Sequence, residues 1–162
     1  MKGRHFILHC QKIKMKRKTP PILIVDDSPE DYEAIYRAMR KFGAENPIYH
    51  CIDGDQALDF LYKRGQYATT LLSERPGIIL LDLNLPGTDG YEVLSNIKKN
   101  NNLKQIPLIV FTTSNDPADV DRCYKAGANS YVQKPVHLNG FLNAIKVIKE
   151  YWLLTTILPE RV

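Results

Sequence analysis

The sequence is poor in cysteine, and the few it has are badly placed for cross-linking. Cys10, Cys51 and Cys123 are odd in number, far apart and without a C-x-x-C pair. This argues against a disulfide framework and a zinc site, and points to a reducing cytoplasm. No apolar run approaches the ~18 residues that a membrane span needs. No G-x-x-x-x-G-K or G-x-G-x-x-G stretch follows an apolar run, so nucleotide binding loses its usual support. Internal repeats and low-complexity tracts are absent. After Pro135 only 27 residues remain, so no separate DNA-binding or catalytic output domain is expected.

What is present fits one globular domain: 162 residues, 44% apolar and 25% charged. At this length roughly two thirds of the unfolded surface can be buried, and a core needs no staple. The net charge of +4 is unevenly spread. Lys2, Arg4, Lys12, Lys14, Lys16, Arg17 and Lys18 stand in the first 18 residues without an acid, leaving 15 basic against 18 acidic residues in the rest. The folded part is therefore mildly acidic. Residues 1–19 read as a disordered basic leader without the h-region of a secretory signal, which does not by itself make a nucleic-acid binder.

From Pro20 onward, short apolar runs alternate with helical periodicity. Ile22 to Val25 ends in Asp26 and Asp27, and Ser28-Pro29 then opens a helix with an N-cap serine and a first-turn proline. Ile35, Met39 and Phe42 form that helix's apolar stripe, and Gly43 suits its end. Ile48 to Ile52 is the second strand, and a helix carrying Ala57, Leu58, Leu61 and Tyr62 follows. Gly65 to Arg75 reads as a loop. The third run, Ile78 to Leu81, ends in Asp82, with a helix opening at Asp89-Gly90 and presenting Val93, Leu94 and Ile97. Leu108 to Phe111 ends in Thr112, with a helix from about Pro117 to Gly127. Ser130 to Val132 ends at Lys134-Pro135, and a last helix runs from about Leu138 into the 150s. Five strands and five helices alternate. The strands are continuous apolar runs, as expected of a parallel sheet covered on both faces.

In open α/β sheets the ligand crevice lies beyond the carboxyl ends of the strands. Asp26 and Asp27, Asp82, Thr112 and Lys134 all fall there. Each alone reads as a turn acid, a cap or a solvated charge; together they resist that reading. Carboxylates gathered within ~4 Å repel by roughly 4 kcal/mol per pair at an effective dielectric near 20, so a cation must offset them. An oxygen-only donor set without His or Cys suits Mg²⁺. Lys134 supplies a mobile point charge and Thr112 a hydroxyl donor. Carboxylate nucleophile, metal, lysine and hydroxyl are what phosphoryl transfer to an aspartate requires.

These residues resemble the receiver domain of two-component response regulators. The matching segments are Ile22 to Ser28 (ILIVDDS), Leu80 to Pro86 (LLDLNLP) with Asp89-Gly90, Val110 to Thr113 (VFTT), Ala126 to Ala128 (AGA) and Tyr131 to Pro135 (YVQKP). The resemblance covers about Pro20 to Leu154. It implies a doubly wound, flavodoxin-like (βα)5 fold with a five-stranded parallel sheet in the order 2-1-3-4-5. It implies Asp82 as phosphoacceptor, and Mg²⁺ held by Asp26, Asp27, Asp82 and the Asn84 carbonyl, with Asp26 acting through water. Lys134 would bind the phosphoryl group across a cis Lys134-Pro135 bond, and Thr112 and Tyr131 would form a switch pair. Val136 departs from the family, where an aromatic often follows the proline.

A narrower resemblance joins Lys63 to Ala68 (KRGQYA), Thr112 to Ser114 and the tail Tyr151 to Leu154 (YWLL) with Ile157 to Pro159 to the small single-domain regulators paired with cyanobacterial phytochromes. It implies a phytochrome histidine kinase as phosphodonor and leaves His5, His9, His50 and His137 as surface or packing residues.

A haloacid-dehalogenase-like phosphatase also uses an aspartate and Mg²⁺, but needs D-x-D. Here the triplet is Asp82-Leu83-Asn84, whose amide is no useful proton donor. The last helix carries two apolar stripes. Phe141, Ile145, Ile148 and Trp152 suit a core face. Ala144, Val147, Tyr151, Leu154 and Leu158 form a second stripe, and Val147, Tyr151 and Leu154 are its candidate homodimer contacts. Residues 20–154 are expected to form the receiver unit and 155–162 an apolar tail. No contact with nucleic acid or membrane is expected.

Overall fold

A computed structural model describes residues 19–69 and 74–160. The basic leader up to residue 18, part of the stretch read as a loop and the last two residues lie outside them. The elements are β1 (Ile22–Val25), α1 (Pro29–Lys41), β2 (Ile48–Cys51), α2 (Gly54–Tyr62), β3 (Ile78–Leu81), α3 (Gly90–Lys99), β4 (Leu108–Thr112), α4 (Pro117–Ala126), β5 (Ser130–Gln133) and α5 (Leu138–Lys149). All strand pairs are parallel, in the order β2-β1-β3-β4-β5.

Alternation along the strands divides the core in two. Ile22, Ile24, Ile78, Leu80, Ile109 and Phe111 face α1 and α5, where Ile35, Met39, Phe141, Ile145 and Ile148 meet them. Leu23, Val25, Ile79, Leu81, Leu108 and Val110 face the other way, against residues of α2, α3 and α4. A fully buried side chain of this size contributes about 1.5–3 kcal/mol, so the central strands carry much of the stability. The continuous-run expectation holds for β1, β3 and β4, each buried throughout. The edge strands β2 and β5 are mostly half-exposed. A strand with one neighbour is covered less, and here amphipathic Tyr49, His50 and Tyr131 occupy it.

Local chemistry starts the helices where the strands stop. Ser28, Asp53, Asp89 and Asp116 each cap a helix, accepting from the backbone N–H of Asp31, Gln56, Glu92 and Ala118 at 3.2, 2.7, 2.8 and 2.9 Å. Such caps are worth about 1 kcal/mol apiece.

Three details differ from the sequence reading. The stretch from Gly65 opens with a 3₁₀ turn, Gly65–Tyr67, pinned by Tyr67 standing edge-on to Phe60 with centroids 5.3 Å apart. Beyond Lys149 the last helix widens into a π-helical segment, Glu150–Thr155. No peptide bond among the described residues is cis, so Lys134-Pro135 is trans. The trans form is favoured by about 0.5–1 kcal/mol before any tertiary contact, and Lys134 reaches the acids from it.

Candidate functional site

Parallel pairing runs one bond past the ends of the strands and sets the acids side by side. Asp26 N–H donates to the Cys51 carbonyl at 3.0 Å, and Asp82 N–H donates to the Val25 carbonyl at 2.9 Å. At the other side, Lys134 N–H donates to the Thr112 carbonyl at 2.7 Å. Asp26, Asp82, Thr112 and Lys134 thereby stand at the carboxyl edge of the sheet, all buried.

The first helical turn of α3 packs directly on this edge. A Cβ at Gly90 would collide with the Asp82 carbonyl oxygen and stand 2.6 Å from Leu83 Cα, so only glycine permits the approach.

The Lys134 ammonium is the hub. Its Nζ donates to Asp26 Oδ2 at 2.7 Å, Asp82 Oδ2 at 2.8 Å and Asp31 Oδ2 at 2.8 Å. The remaining oxygens face the backbone: Asp26 Oδ1 accepts from Ser28 N–H at 2.9 Å and Asp82 Oδ1 from Asn84 N–H at 3.1 Å. Burial works against the ammonium, and the three carboxylates overcome it, holding Lys134 above the ordinary lysine range. Burial also pushes the Asp26 carboxyl up, against the pull of Lys134 and the Ser28 N–H, and the neighbouring Asp82 charge adds to the push.

One oxygen from each of Asp26, Asp27 and Asp82 lies within 4.8 Å of the others, with Asp27 exposed at the mouth. At that spacing each pair of charges repels by about 3–4 kcal/mol at an effective dielectric near 20. A single lysine cannot neutralise this set, and its all-oxygen character fits a hard divalent ion. Thr112 adds a second feature that fits a bound anionic group: its Oγ1 is buried and has no hydrogen-bond partner among the described residues. An unmet buried hydroxyl costs about 1–3 kcal/mol unless something binds there.

The other candidates are placed as follows. Asn84 is exposed beside Asp82. Tyr131 is half-buried, its hydroxyl donating to the Ser114 carbonyl at 3.1 Å. Val136 is exposed, so no packing there demands an aromatic ring. Val147 on α5 is exposed, as are Tyr151 and Leu154 on the π-helical segment that follows it, whereas Phe141, Ile145 and Ile148 are buried.

Sequence reasoning missed two neighbours. Asp31 reads locally as a first-turn helix acid, and its partner Lys134 is 103 residues away. His50 stacks on Tyr32 and holds the Asp26 carbonyl, which no local pattern announces.

A doubly wound sheet in this order, with an acid pocket at β1 and β3 and a lysine after β5, is the architecture of a receiver-type signalling domain. The chain belongs to the response regulator receiver domain family, whose pattern matches residues 22–146. Among its relatives, the response regulator Rcp1 of Synechocystis sp. is 39% identical over 142 residues, covering 86% of this chain and 95% of that protein. The probable methanogenesis regulatory protein FilR2 of Methanothrix harundinacea is 39% identical over 132 residues, covering 82% of this chain and 83% of FilR2. Two solved structures are similar at a TM-score of 0.82: the phosphorylated cyanobacterial phytochrome response regulator RcpA, 36% identical, and the Mn²⁺-bound form of Rcp1, 37% identical. Each covers 87% of this chain and is itself covered to 99%.

Proposed function

We propose that this chain is a single-domain response regulator that accepts a phosphoryl group from a histidine kinase on Asp82, in a Mg²⁺-dependent reaction in the cytoplasm, and signals through protein–protein contacts. The observation that carries the reading is the orphaned Thr112 hydroxyl on the strand next to Asp82, beside a lysine already seated on that carboxylate. A phosphoryl group on Asp82 would give both donors an oxygen acceptor. In the transfer, an Asp82 oxygen attacks phosphorus; the new O–P bond forms as the N–P bond of the donor phosphohistidine breaks, and the imidazole leaves and takes up a proton. Lys134 and Thr112 donate to the phosphoryl oxygens. Asp26, through water, Asp27, Asp82 and the Asn84 carbonyl would hold the Mg²⁺, whose charge neutralises the transferring group. The same donors serve hydrolysis of the acyl phosphate, so the chain promotes both its own phosphorylation and its dephosphorylation.

Similarity to Rcp1 and to the phytochrome regulator RcpA supports a phytochrome as the kinase. A switch through Thr112 and Tyr131 would carry the signal: the hydroxyl moves onto the phosphoryl oxygen and the Tyr131 ring follows. Incubation with acetyl phosphate and Mg²⁺, followed by intact-mass analysis, tests the acceptor. One phosphoryl group is expected, none without a divalent ion and none in Asp82→Asn; a mass gain in that variant would move the acceptor elsewhere.

The exposed apolar residues of α5 and of the π-helical segment after it support a homodimer. Val147, Tyr151 and Leu154 are 53%, 51% and 67% exposed, and like helices paired about a two-fold would cover them. Because the stripe does not involve Asp82, the dimer should form before phosphorylation. Sedimentation of the wild type and of a Tyr151→Glu, Leu154→Glu double variant checks this; a wild-type monomer at tens of micromolar would rule it out.

A further inference from the structure

We propose that Asp31 is a positioning residue for phosphoryl transfer: it keeps the Lys134 ammonium anchored beside Asp82 while the other two carboxylates on that ammonium are engaged elsewhere. The inference rests on the reading of Asp82 as acceptor and deepens it.

An ammonium has three N–H donors, and all three are in use, one each on Asp26, Asp82 and Asp31. These partners differ in what the reaction does to them. Asp26 and Asp82 belong to the triad of acids that can gather a divalent ion. Asp82 also ceases to be a carboxylate once its oxygen is bonded to phosphorus. Asp31 stands outside that triad and forms no bond to phosphorus, so its acceptor oxygen stays available to Lys134 through the whole sequence.

Its placement suits an anchor. Asp31 sits in the first turn of α1, its backbone N–H held by the Ser28 cap at 3.2 Å. Its side chain is 35% exposed, against 3% for Asp26 and 8% for Asp82. It therefore approaches the lysine from the helix rather than from the strand ends. Lysine is a point charge on a flexible four-carbon stem carrying about 2 kcal/mol of rotamer entropy. With Asp26 and Asp82 drawn toward a metal, Asp31 alone would keep one N–H in place. A second N–H is then free to turn from Asp82 onto the incoming phosphoryl oxygen without the stem swinging away, which is an orientation effect of the kind that dominates this chemistry.

Two variants separate an anchoring acceptor from a mere charge balance. Asp31→Asn keeps an acceptor oxygen at the same reach and removes the charge; Asp31→Ala removes both. Initial rates of phosphorylation of the full chain are measured against acetyl phosphate concentration at saturating Mg²⁺, together with Mg²⁺ affinity by calorimetry and affinity for beryllofluoride, which occupies the phosphoryl position without a transfer step. In Asp31→Ala the maximal rate is expected to fall about tenfold, equivalent to about 1.4 kcal/mol of transition-state stabilisation. Beryllofluoride binding should weaken in parallel, with Mg²⁺ affinity changed less than about threefold. Asp31→Asn should recover most of the rate and of the beryllofluoride affinity. Should the alanine variant unfold, Asp31→Ser, whose hydroxyl falls short of Lys134, takes its place.

Wild-type rates in Asp31→Ala, or an asparagine variant as impaired as the alanine one, would overturn the anchoring role. Failure of the wild type itself to gain a phosphoryl group would instead overturn the acceptor reading, which Asp82→Asn tests on its own.

Discussion

The imidazole of His50 lies flat on the ring of Tyr32, with centroids 3.8 Å apart and planes 2° from parallel, and its Nε2 points at the Asp26 carbonyl at 2.8 Å. A carbonyl oxygen only accepts, so Nε2 carries the proton in this contact. The stack ties β2 to α1, and the hydrogen bond ties both to the backbone of an acid at the centre of the site. β2 is an edge strand paired only with β1 in the sheet, and this contact adds a tie from its half-exposed face to α1.

His50→Ala should therefore cost about 1–2 kcal/mol, the sum of one ring stack and one hydrogen bond. Urea unfolding measures it. An unchanged midpoint would mean that the stack contributes nothing net.

Thr112→Val should have opposite effects on the resting and the modified protein. The resting protein loses an unmet buried hydroxyl and should gain about 1 kcal/mol, read from the same unfolding experiment. Phosphorylation should still appear by intact mass while its effect on partner binding disappears. A destabilised resting variant would show that Oγ1 has a partner after all.

Metal should stabilise the chain without any phosphodonor. Binding to the assembled strand ends alone raises stability by RT ln(1+[Mg]/Kd), about 2.7 kcal/mol at a hundredfold excess. Asp27→Ala should raise the metal-free melting temperature, because it removes one of three repelling charges, and should abolish the response to Mg²⁺. Chelation should return the wild type to its metal-free value. A full Mg²⁺ response in Asp27→Ala would argue against that ligand.

A pH effect is expected at Lys98, well away from the site. Its ammonium donates to the Lys104 and Ile106 carbonyls at 3.0 and 2.8 Å and to Asn129 Oδ1 at 2.9 Å, clamping the approach to β4 against the start of β5. Burial pushes it down from 10.5 to about 8. Between those two values the unfolded chain binds more protons at this residue than the folded one does, so its contribution to stability improves as pH rises across the window. The difference in unfolding free energy between wild type and Lys98→Met should therefore grow in favour of the wild type from pH 8 toward 10. A flat difference would contradict the lowered pKa.

Much of the architecture was written locally. The apolar run Ile78 to Leu81 stands between a glycine and an acid, and Ser28, Asp53, Asp89 and Asp116 each sit one residue before a helix, so the order of elements followed from caps and periodicity. Asp26, Asp82, Thr112 and Lys134 were legible as a site because each ends an apolar run, and parallel strands bring such ends to one edge. Continuous apolar character could not rank central against edge strands, since burial depends on how many neighbours a strand has.

Tertiary structure decided what depends on partners distant in the chain. The sequence by itself determined that carboxylates, a hydroxyl and a lysine would meet; it could not determine that Asp31 takes the third N–H of Lys134 from across 103 residues. Nor could it determine that His50 lies on Tyr32, or that the Thr112 hydroxyl is left without an acceptor among the described residues. Helix caps and strand runs are set by neighbours within a few residues, where the backbone fixes the geometry. Hydrogen bonds between side chains on different elements are set by strand register and helix packing, which exist only once the whole core has closed.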